Sequence, residues 1–463
     1  MSEAKNPMEL LAERDKIFYD YYTNVVPTRM PVNAAIVPLA LAQYAEQDPF
    51  LWQYDGTALL EAMHMYADKI YSDTCPFNPP VLMMRPAYPY QLLKSQSFVL
   101  AENGQVQHPE VSGMPAEEYS ELIEDGFDYL IEKVVPRQHK NLDPSDPLKM
   151  AYRALMELNM RNNEAAAFFP QFMGFCASRG YHNGGTLGAG GAAEAPMDFL
   201  ADQLRGFSNM SVDIRRRPDF VKEACEVLTP LMQKMGMPPY IDYQQNIFYP
   251  LHMPTFMRPK DVEAIYMPSF KKLMQDNVAR GIRPYIFVED DWTNLLDLIH
   301  DEFPAGCVLA FDEGDPKLFK EKLGKKFLMS GLFPLSYMRN HTTEEIIDKA
   351  KEYLDILLPG CGYVFGFDKS LLFAKDANID QYAALMEFLR DYARYDNVGS
   401  SYGTPLNDEG YKPVVEWDAP IKSKYVFNWD AFKEENPLTP DYARGKFEAA
   451  DNQVFNWYMN WLF

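Results

Sequence analysis

The sequence predicts an α/β protein built as a (β/α)8 TIM barrel, with an N-terminal extension and an aromatic-rich C-terminal tail. Short runs of β-branched and aromatic residues alternate with segments of helical periodicity from about residue 190 to residue 395. This alternation is typical of parallel βα units. It continues for at least four consecutive units, which favours a barrel over most other parallel arrangements.

The first 165 residues contain mainly helical patterns. Apolar side chains recur on one side of residues 8–23, and a proline-punctuated stretch then leads into a first predicted strand near 32–37. Further helices are predicted at 57–71, 115–134 and 147–163. After the first of these, Asn103 and Gly104 separate two short extended runs, which indicates a β-hairpin.

The second half alternates regularly between helix and strand. The predicted strands are 246–252, 284–288, 307–311, 326–330 and 363–367. The predicted helices are 195–205, 217–236, 260–280, 291–301, 315–323, 342–357 and 379–395. Helix 342–357 begins with a capping box, because Glu345 follows Thr342 three residues later.

Three regions are therefore expected along the chain. Residues 1–30 form the N-terminal helical extension, residues 31–395 form the barrel with insertions near 95–165, and residues 396–463 form the tail. The tail contains Trp417, Trp429, Trp457 and Trp461. So aromatic a segment is expected to pack on the barrel or on a partner subunit rather than to be disordered.

Composition excludes several classes of partner. The chain has 463 residues and a formal net charge of −22, and such an acidic protein repels nucleic acid and anionic membranes. Its five cysteines are widely spaced and form no CxxC pair, so they predict neither a disulfide framework nor a zinc ribbon. No apolar run is long enough for a membrane span, and the first thirty residues lack a signal-peptide core. A cytoplasmic protein is expected.

The candidate site lies at the C-terminal ends of the predicted strands, where parallel barrels gather their reactive groups. These ends carry His252, Glu289 with Asp291, Asp312 with Glu313, and Asp368. Histidine with carboxylates suits zinc, whereas carboxylates alone favour magnesium, manganese or calcium. A cation would also relieve the repulsion among the three consecutive acids 289–291. In the alternative interpretation, Asp291 caps the helix that begins near Trp292, and only Glu289 points inward.

Two further stretches suggest ligand contacts. The glycine-rich segment 179–206 contains neither a P-loop nor a GxGxxG pattern, so a nucleotide site is rejected, but its glycines would allow a ligand or a lid to approach the backbone closely. Arg179 and His182 in this segment are candidates to bind an anionic substrate group. The methionine- and aromatic-rich segments 80–90 and 253–259 predict an adaptable apolar pocket for a flat aromatic ligand.

Four stretches resemble the uroporphyrinogen decarboxylase superfamily, in particular its long members grouped with corrinoid-dependent methyltransferases. They are "APMDFLADQLRGFSNMSVDIRRRPDFV", "YPLHMPTFMRPKDVEAIYMPSFKKLM", "GIRPYIFVEDDWTNLLDLI" and "GLFPLSYMRNHTTEEIIDKAKEYLDILLPGCGYVFGFD", and together they cover roughly residues 195–395. The resemblance implies an O-demethylase component that moves a methyl group from a methoxylated substrate, an aromatic methyl ether, to the cobalt of a separate corrinoid protein. It also suggests a homodimer.

The resemblance also implies a set of site residues. Glu289, His252 and Asp368 are the candidate catalytic residues; His252, Glu289, Asp291 and Asp368 are the candidate ligands of a divalent metal, zinc by preference; and His182, Arg179, Tyr249 and Trp292 are the candidate substrate-binding residues. Zinc methyltransferases of this superfamily carry a His-x-Cys pair and a later Cys, where this chain has carboxylates. That departure argues against a sulfur-rich zinc site. The chain also lacks an Asp-x-His-x-x-Gly cobalamin-anchoring motif, so the cobalamin is expected to come from the corrinoid protein.

Two alternatives remain open. The first is a decarboxylase that needs no corrinoid, although the segment containing Met84, Arg85, Ala87 and Tyr90 lacks the second arginine of the decarboxylase motif. A chain with a net charge of −22 would also bind a polycarboxylate poorly. The second is a non-catalytic scaffold that docks a corrinoid protein through its aromatic tail.

Overall fold

A six-stranded, fully parallel sheet forms the centre of the protein, and each strand pairs with the next one along the chain. The computed structural model describes residues 6–53, 55–77, 90–102, 106–182, 191–238, 240–406 and 421–462. The sheet strands are β3 (Gly191–Ala192), β4 (Asn246–Leu251), β5 (Arg283–Asp291), β6 (Val308–Glu313), β7 (Leu328–Phe333) and β8 (Tyr363–Phe367), and a separate antiparallel hairpin is formed by β1 (Val99–Leu100) and β2 (Val106–Gln107). Parallel neighbours need crossover connections, and helices supply them here.

Helices precede, connect and follow these strands. Before the sheet lie Pro7–Tyr22, Pro38–Tyr44, Gly56–Ala67, Tyr119–Asp125, Phe127–Tyr129, Val135–Gln138 and Pro147–Arg179. Within and after the sheet lie Pro196–Phe199, Phe207–Arg216, Pro218–Gly236, Pro259–Asp261, Met267–Ala279, Leu296–Glu302, Pro316–Leu323, Tyr337–Asn340, Thr343–Leu357 and Ile379–Tyr392. The tail adds Trp429–Glu435 and Arg444–Leu462. Single π-helical segments occur at Leu130–Val134, Leu200–Arg205 and Val262–Tyr266, and 3₁₀ turns at Leu51–Gln53, Ala116–Glu118, Met253–Phe256, Thr293–Leu295, Ala374–Asp376 and Asp441–Ala443.

Side chains of the strands alternate between two apolar layers, as the period of two requires. On β4, Tyr249 is fully buried on the helix side, where its ring lies 5.5 Å from that of Phe270. The opposite side belongs to a second cluster containing Phe248, Tyr285, Phe287, Val308, Ala310, Leu328 and Val364. Phe18 and Tyr22 of helix Pro7–Tyr22 join this second cluster. The N-terminal helix is therefore part of the same core as the strands.

The predicted first strand, residues 32–37, is not a regular strand, but its backbone pairs with residues 72–76. Asp73 N donates to Val32 O at 2.8 Å, and Ile36 N donates to Pro76 O at 3.1 Å. On the other side of this segment, His182 N donates to Asp73 O at 2.9 Å. Two extended segments therefore precede β3, although neither pairs over enough residues to form a continuous ladder.

Most predicted elements of the second half are confirmed, although several boundaries differ, and a helix of the first half is longer than predicted. The capping box is present, since Thr342 Oγ1 accepts from Glu345 N at 3.3 Å and Glu345 Oε2 accepts from Thr342 N at 2.8 Å. The helix predicted to begin at 291 begins later, because β5 continues to Asp291. The helix predicted over 147–163 continues to Arg179 and ends at Gly180, whose φ of 59° provides a left-handed C-cap.

The C-terminal helix packs on helices of its own chain. The Phe455 ring lies 5.0 Å from the Phe127 ring, and Trp461 Nε1 donates to buried Glu157 Oε2 at 3.2 Å. Trp417 of the predicted tail lies outside the described residues. Among the helices described here, none combines the length and the apolar character needed to cross a membrane.

Candidate functional site

Ionisable side chains from β4, β5 and β6 meet at the C-terminal edge of the sheet, around a cavity of about 410 Å³. We call this cavity the mouth. It is lined by Phe207, His252, Thr255, Phe256, Glu289, Asp290, Asp312, Glu313 and Lys369. His252, Glu289 and Asp312 continue the strand faces that carry Phe248, Phe287 and Ala310, because each lies two or four residues further along the same strand.

His252 is held between two carboxylates. Its Nδ1 lies 2.7 Å from Asp202 Oδ2, and its Nε2 lies 3.1 Å from Glu289 Oε1. Burial lowers the pKa of His252, but the hydrogen bonds to Asp202 and Glu289 outweigh it and raise the pKa to about 11. The imidazole is therefore positively charged at neutral pH, and both of its nitrogens donate.

Asp198 fixes the backbone that carries His252. One oxygen, Oδ1, accepts from His252 N at 3.0 Å and from Met253 N at 2.7 Å, and Oδ2 accepts from the Tyr266 hydroxyl at 2.6 Å. Burial raises the pKa of Asp198 to about 7. Asp198 and Asp202 are four residues apart in a helical segment, so they lie on one face and both reach the end of β4.

A further acid, Glu194, is buried behind Asp202. Gln203 Nε2 donates to Glu194 Oε1 at 2.9 Å. The other oxygens, Glu194 Oε2 and Asp202 Oδ1, are buried and have no hydrogen-bond partner among the described residues. Burial, followed by the charge of Asp202, raises the pKa of Glu194 well above its usual range. Two adjacent buried acids do not both ionise readily, so Glu194 is the one that favours its protonated form.

A β-bulge directs Glu289 into the mouth. The pairing between β5 and β6 shifts register between Val288 and Asp291, and Asp290 adopts a φ of 65°. The Trp292 indole is 2% exposed and donates to Glu289 O at 2.9 Å. Bulges change the direction of side chains next to functional sites, and a non-glycine residue in the left-handed region stores strain there.

Asp312 is a second candidate acid. Burial raises its pKa to about 6, with the nearby charges of Glu289 and Asp368 acting in the same direction. Its Oδ2 accepts from Asp290 N at 3.2 Å, and its Oδ1 is buried with no partner in the described part of the chain. Lys369 lies across the mouth, with its Nζ 3.9 Å from Glu313 Oε1.

The four predicted metal ligands are not brought together. His252 and Glu289 meet, but Asp291 Oδ1 accepts from Thr293 N at 2.8 Å and from Thr293 Oγ1 at 2.5 Å, in the turn that leads into the 3₁₀ segment Thr293–Leu295. Asp368 Oδ1 instead accepts from Leu335 N at 2.8 Å. Within the described ranges, no three His, Cys, Asp or Glu side chains are arranged to hold a metal ion.

The proton on His252 would compete with a metal ion. Both nitrogens of an imidazolium carry hydrogens, so a metal could bind His252 only by displacing one of them. The metal stays a prediction from the sequence, and the mechanism proposed below includes no step through it.

Two predicted substrate-binding residues lie beneath the site rather than in it. Tyr249 is fully buried on the helix side of β4, and its hydroxyl accepts from Asn277 Nδ2 at 2.6 Å. Trp292 supports the Glu289 backbone, as described above. Neither residue lines the mouth, because each side chain is taken up by packing and a hydrogen bond.

The other two predicted substrate-binding residues are engaged elsewhere. His182 stacks on Phe18 with ring centroids 4.2 Å apart, and its Nδ1 lies 2.7 Å from Asp15 Oδ1. Arg179 Nη2 lies 2.5 Å from Asp68 Oδ1. The glycine-rich residues 183–190 and the methionine-rich residues 81–89 lie outside the described residues.

A second, apolar cavity of about 220 Å³ opens beside the mouth, and we call it the aromatic cavity. Strand residues on its wall include Phe248, Tyr285, Phe287, Ala310, Ser330 and Val364. Phe365, Phe367 and Tyr382 add further rings, and Asn33 comes from the predicted first strand. Lys369 lines both cavities, so the two adjoin.

Sequence reasoning missed Asp198, Asp202 and Glu194. The signal that could have found the first two is their spacing of four residues in the otherwise apolar helical pattern "PMDFLADQL". Carboxylates on the buried face of a helix need a partner, and the partner here is 50 residues away at the end of β4.

Comparison with known proteins adds little to this geometry. No family profile matches the chain, and no curated protein matches it. A solved structure described as a methyltransferase from Methanosarcina mazei aligns over 81% of this chain and 98% of its own, with 14% sequence identity and a TM-score of 0.47. At that distance the likeness carries no argument about activity, which has to be argued from the site.

Proposed function

We propose that the protein is a methyltransferase that moves a methyl group from a methoxylated aromatic substrate to the cobalt of a separate corrinoid protein. The observation that supports this proposal most strongly is the imidazolium of His252, held between Asp202 and Glu289 next to the aromatic cavity. A fixed proton donor beside a ring-lined pocket suits the cleavage of an aryl ether, whose obstacle is a poor leaving group.

The aromatic cavity supports an aromatic substrate. An enclosed apolar cavity of about 150 Å³ is known to hold benzene, so 220 Å³ leaves room for one ring with small substituents. Phe248, Tyr285 and Phe287 offer ring edges and faces to such a ligand. A ring bound there would direct one substituent toward His252, because the mouth adjoins this cavity.

The residues of the mouth would handle the charge that develops on the ether oxygen. When the methyl carbon leaves, the C–O bonding pair stays on the oxygen, and the His252 Nε2 proton neutralises it. Glu289 accepts that Nε2–H before the substrate binds, and Asp202 keeps the ring oriented through Nδ1. The corrinoid of the partner would supply the nucleophile that accepts the methyl group. Asp368, a predicted catalytic residue, would act indirectly by positioning the loop at Leu335.

We also infer that the sheet is part of a closed (β/α)8 barrel. Residues 32–36 and 72–76 would supply its first two strands, since they exchange backbone hydrogen bonds with each other and the second reaches His182. Residues 33–37 share the wall of the aromatic cavity with residues 364–367 of β8, as closure requires. The N-terminal helix and the tail would then be layers of one folded unit.

The decisive experiment follows methylation of free cob(I)alamin by its visible spectrum, with the full chain and a panel of methoxyphenols and methoxybenzoates. Transfer from at least one substrate is expected, and His252→Gln should reduce the rate by about 10²- to 10⁴-fold, the usual contribution of a general acid. Glu313→Gln is the control, because Glu313 lines the same mouth and its ion pair is with Lys369 rather than with His252. No transfer from any methoxyarene would contradict the proposal, and a corrinoid-independent release of CO₂ would favour the decarboxylase instead.

A further inference from the structure

Two hydroxyl groups meet in the wall of the aromatic cavity, below the mouth. Tyr285 and Ser330 both line this cavity, and they are only 6% and 7% exposed. Tyr285, Phe287 and Glu289 lie at alternate positions of β5 and face the same side of the sheet. At about 3.3 Å per residue, Tyr285 lies about 13 Å before Glu289 along the strand. A ring bound beside Phe287 would therefore have the mouth at one end and these hydroxyls at the other.

The contact between the two hydroxyls leaves one hydrogen for a ligand. Burial raises the pKa of the Tyr285 phenol, and hydrogen bonding by Ser330 lowers it by a smaller amount. A hydrogen bond lowers the pKa of a phenol when the phenol oxygen accepts it, so Ser330 donates and Tyr285 accepts. The O–H of Tyr285 is then left to donate to another acceptor. Because burial keeps the phenol neutral, this hydrogen is present at neutral pH.

Irregular backbone on two neighbouring strands holds Ser330 in place. The next two residues of β7, Gly331 and Leu332, have φ values of 88° and 73°. A Cβ at Gly331 would lie 2.1 Å from Phe311 O, and one at Gly366 of β8 would lie 2.7 Å from the Ser330 hydroxyl oxygen. A leucine in the left-handed region is costly, and such strain is concentrated at ligand sites. The distortion therefore favours a role for Ser330 beyond packing.

The wall around these hydroxyls offers no positive charge. Lys369 is the only lysine or arginine among the described residues that line the aromatic cavity, and its Nζ lies 3.9 Å from Glu313 Oε1 in the mouth. Near the hydroxyls the wall is formed by apolar groups such as Ala310 and the Phe248 ring, which lies 5.9 Å from the Tyr285 ring. Burying a carboxylate there would be costly, whereas an uncharged oxygen could accept the phenol hydrogen.

We propose that the substrate is a methoxyarene with an uncharged oxygen acceptor, an aryl carbonyl or a phenol oxygen, on the side of the ring opposite the methoxy group, and that Tyr285 and Ser330 select it. This inference rests on the proposed function, because it assigns the far end of the same substrate. Tyr285 would hydrogen-bond the acceptor, and Ser330 would fix the direction of that bond. Both residues determine specificity and neither contacts the reacting methyl group.

Calorimetric titration of the full chain without cobalamin tests the proposal with two ligands of the same shape. The ketone para-methoxyacetophenone carries a carbonyl oxygen where the hydrocarbon analogue para-isopropenylanisole carries a methylene group. The wild-type protein should bind the ketone about ten-fold or more tightly, because the analogue leaves the buried Tyr285 hydrogen without a partner. The anion para-methoxybenzoate should bind more weakly than the ketone.

Variants separate this hydrogen bond from general packing in the cavity. Tyr285→Phe should abolish the preference for the ketone. Ser330→Ala, which decides the matter if Tyr285→Phe does not fold, should reduce it. Tyr382→Phe is the matched control, because it removes a hydroxyl of the same cavity that hydrogen-bonds Tyr66, and it should leave the preference unchanged.

Several results would overturn the proposal. They are equal binding of the ketone and its analogue by the wild type, binding of neither, tightest binding of the benzoate, and a preference that survives in Tyr285→Phe or is undiminished in Ser330→Ala. Methyl transfer plays no part in this assay. A preference without any methyl transfer to cobalamin would therefore refute only the proposed function, and methyl transfer without a preference would refute only this inference.

Discussion

His252 donates from both ring nitrogens, and this pair of contacts determines what the mouth can do. The sequence was sufficient to predict His252 and Glu289, because both follow strands whose apolar runs are easy to locate. It was insufficient for Asp202, which belongs to a π-helical segment 50 residues away, and only the tertiary fold brings it to Nδ1. The sequence also gave no way to decide between Asp291 as a ligand and as a cap, since that choice depends on the direction of one side chain.

Asp202→Asn should lower the pKa of His252 and flatten the pH dependence of stability. The folded-state pKa of about 11 lies above the unfolded value of 6.5, so the stabilisation is complete below pH 6.5 and is lost as the pH rises through 11. Urea denaturation at pH 7, 8, 9 and 10 measures the free energy of unfolding. Between pH 7 and 10 it should fall less in the variant than in the wild-type protein. Asp301→Asn removes the carboxylate from an exposed pair with His300 and should change nothing. If the free energy of unfolding falls equally steeply with pH in Asp202→Asn and in the wild type, this account is wrong.

Zinc binding at the mouth should depend steeply on pH. A metal at His252 must displace a proton from an imidazolium with a pKa of about 11, so affinity should rise about ten-fold per pH unit between pH 7 and 9. Competition against a chromophoric chelator measures this dependence, and His252→Gln should abolish it. If zinc binds tightly with an affinity that does not change with pH, His252 is already unprotonated in the metal-free protein. That result would support the metal site predicted from the sequence.

At the scale of elements, two local features position the site. One is the β-bulge in β5. The other is the set of hydrogen bonds from His252 N, Met253 N and the Tyr266 hydroxyl to Asp198, which we call the Asp198 clamp. The capping box at Thr342 was predictable because its signal is local. The extension of β5 to Asp291 was not, because it depends on Asp290 adopting a left-handed conformation that an aspartate seldom adopts. The length of helix Pro147–Arg179 was underestimated. Its C-terminal half buries Phe168, Phe172, Phe175 and Cys176 at helical spacing, but it also contains Pro170, and proline inside a sequence normally indicates the end of a helix.

Tyr266→Phe should weaken the clamp without destroying it. The variant loses the hydrogen bond to Asp198 Oδ2, while both backbone donors to Oδ1 remain. We expect a loss of about 1–2 kcal/mol in the free energy of unfolding, the usual effect of removing one buried partner. Tyr240→Phe, at a residue 55% exposed, should stay within about 0.5 kcal/mol of the wild type. An unchanged stability for Tyr266→Phe would mean that the clamp contributes nothing.

At the scale of the whole molecule, the segments before and after the sheet belong to the same body as the strands. Phe18 and Tyr22 share a core with Tyr285, and the tail helix packs through Trp461. The N-terminal helix packs against the strands, and the C-terminal helix packs on other helices of the chain. Their positions were not predictable, because a helical period shows which face is apolar but not which surface will cover it.

Phe18→Ala should show that the N-terminal helix is integral to the fold. Phe18 is 1% exposed and stacks on His182, so the truncation should leave a cavity and cost about 3–5 kcal/mol. Met8→Ala on the same helix is 82% exposed and should cost less than about 0.5 kcal/mol. Urea denaturation of both variants makes the comparison. If both variants lose less than about 0.5 kcal/mol in the free energy of unfolding, the N-terminal helix is not integral to the fold.

Strands β5 and β6 each carry a residue of the aromatic cavity two positions before a residue of the mouth: Phe287 before Glu289, and Ala310 before Asp312. If the protein has the function proposed above, single changes such as Ala310→Val would alter which methyl donor fits the aromatic cavity while His252, Glu289 and Asp312 stay in place.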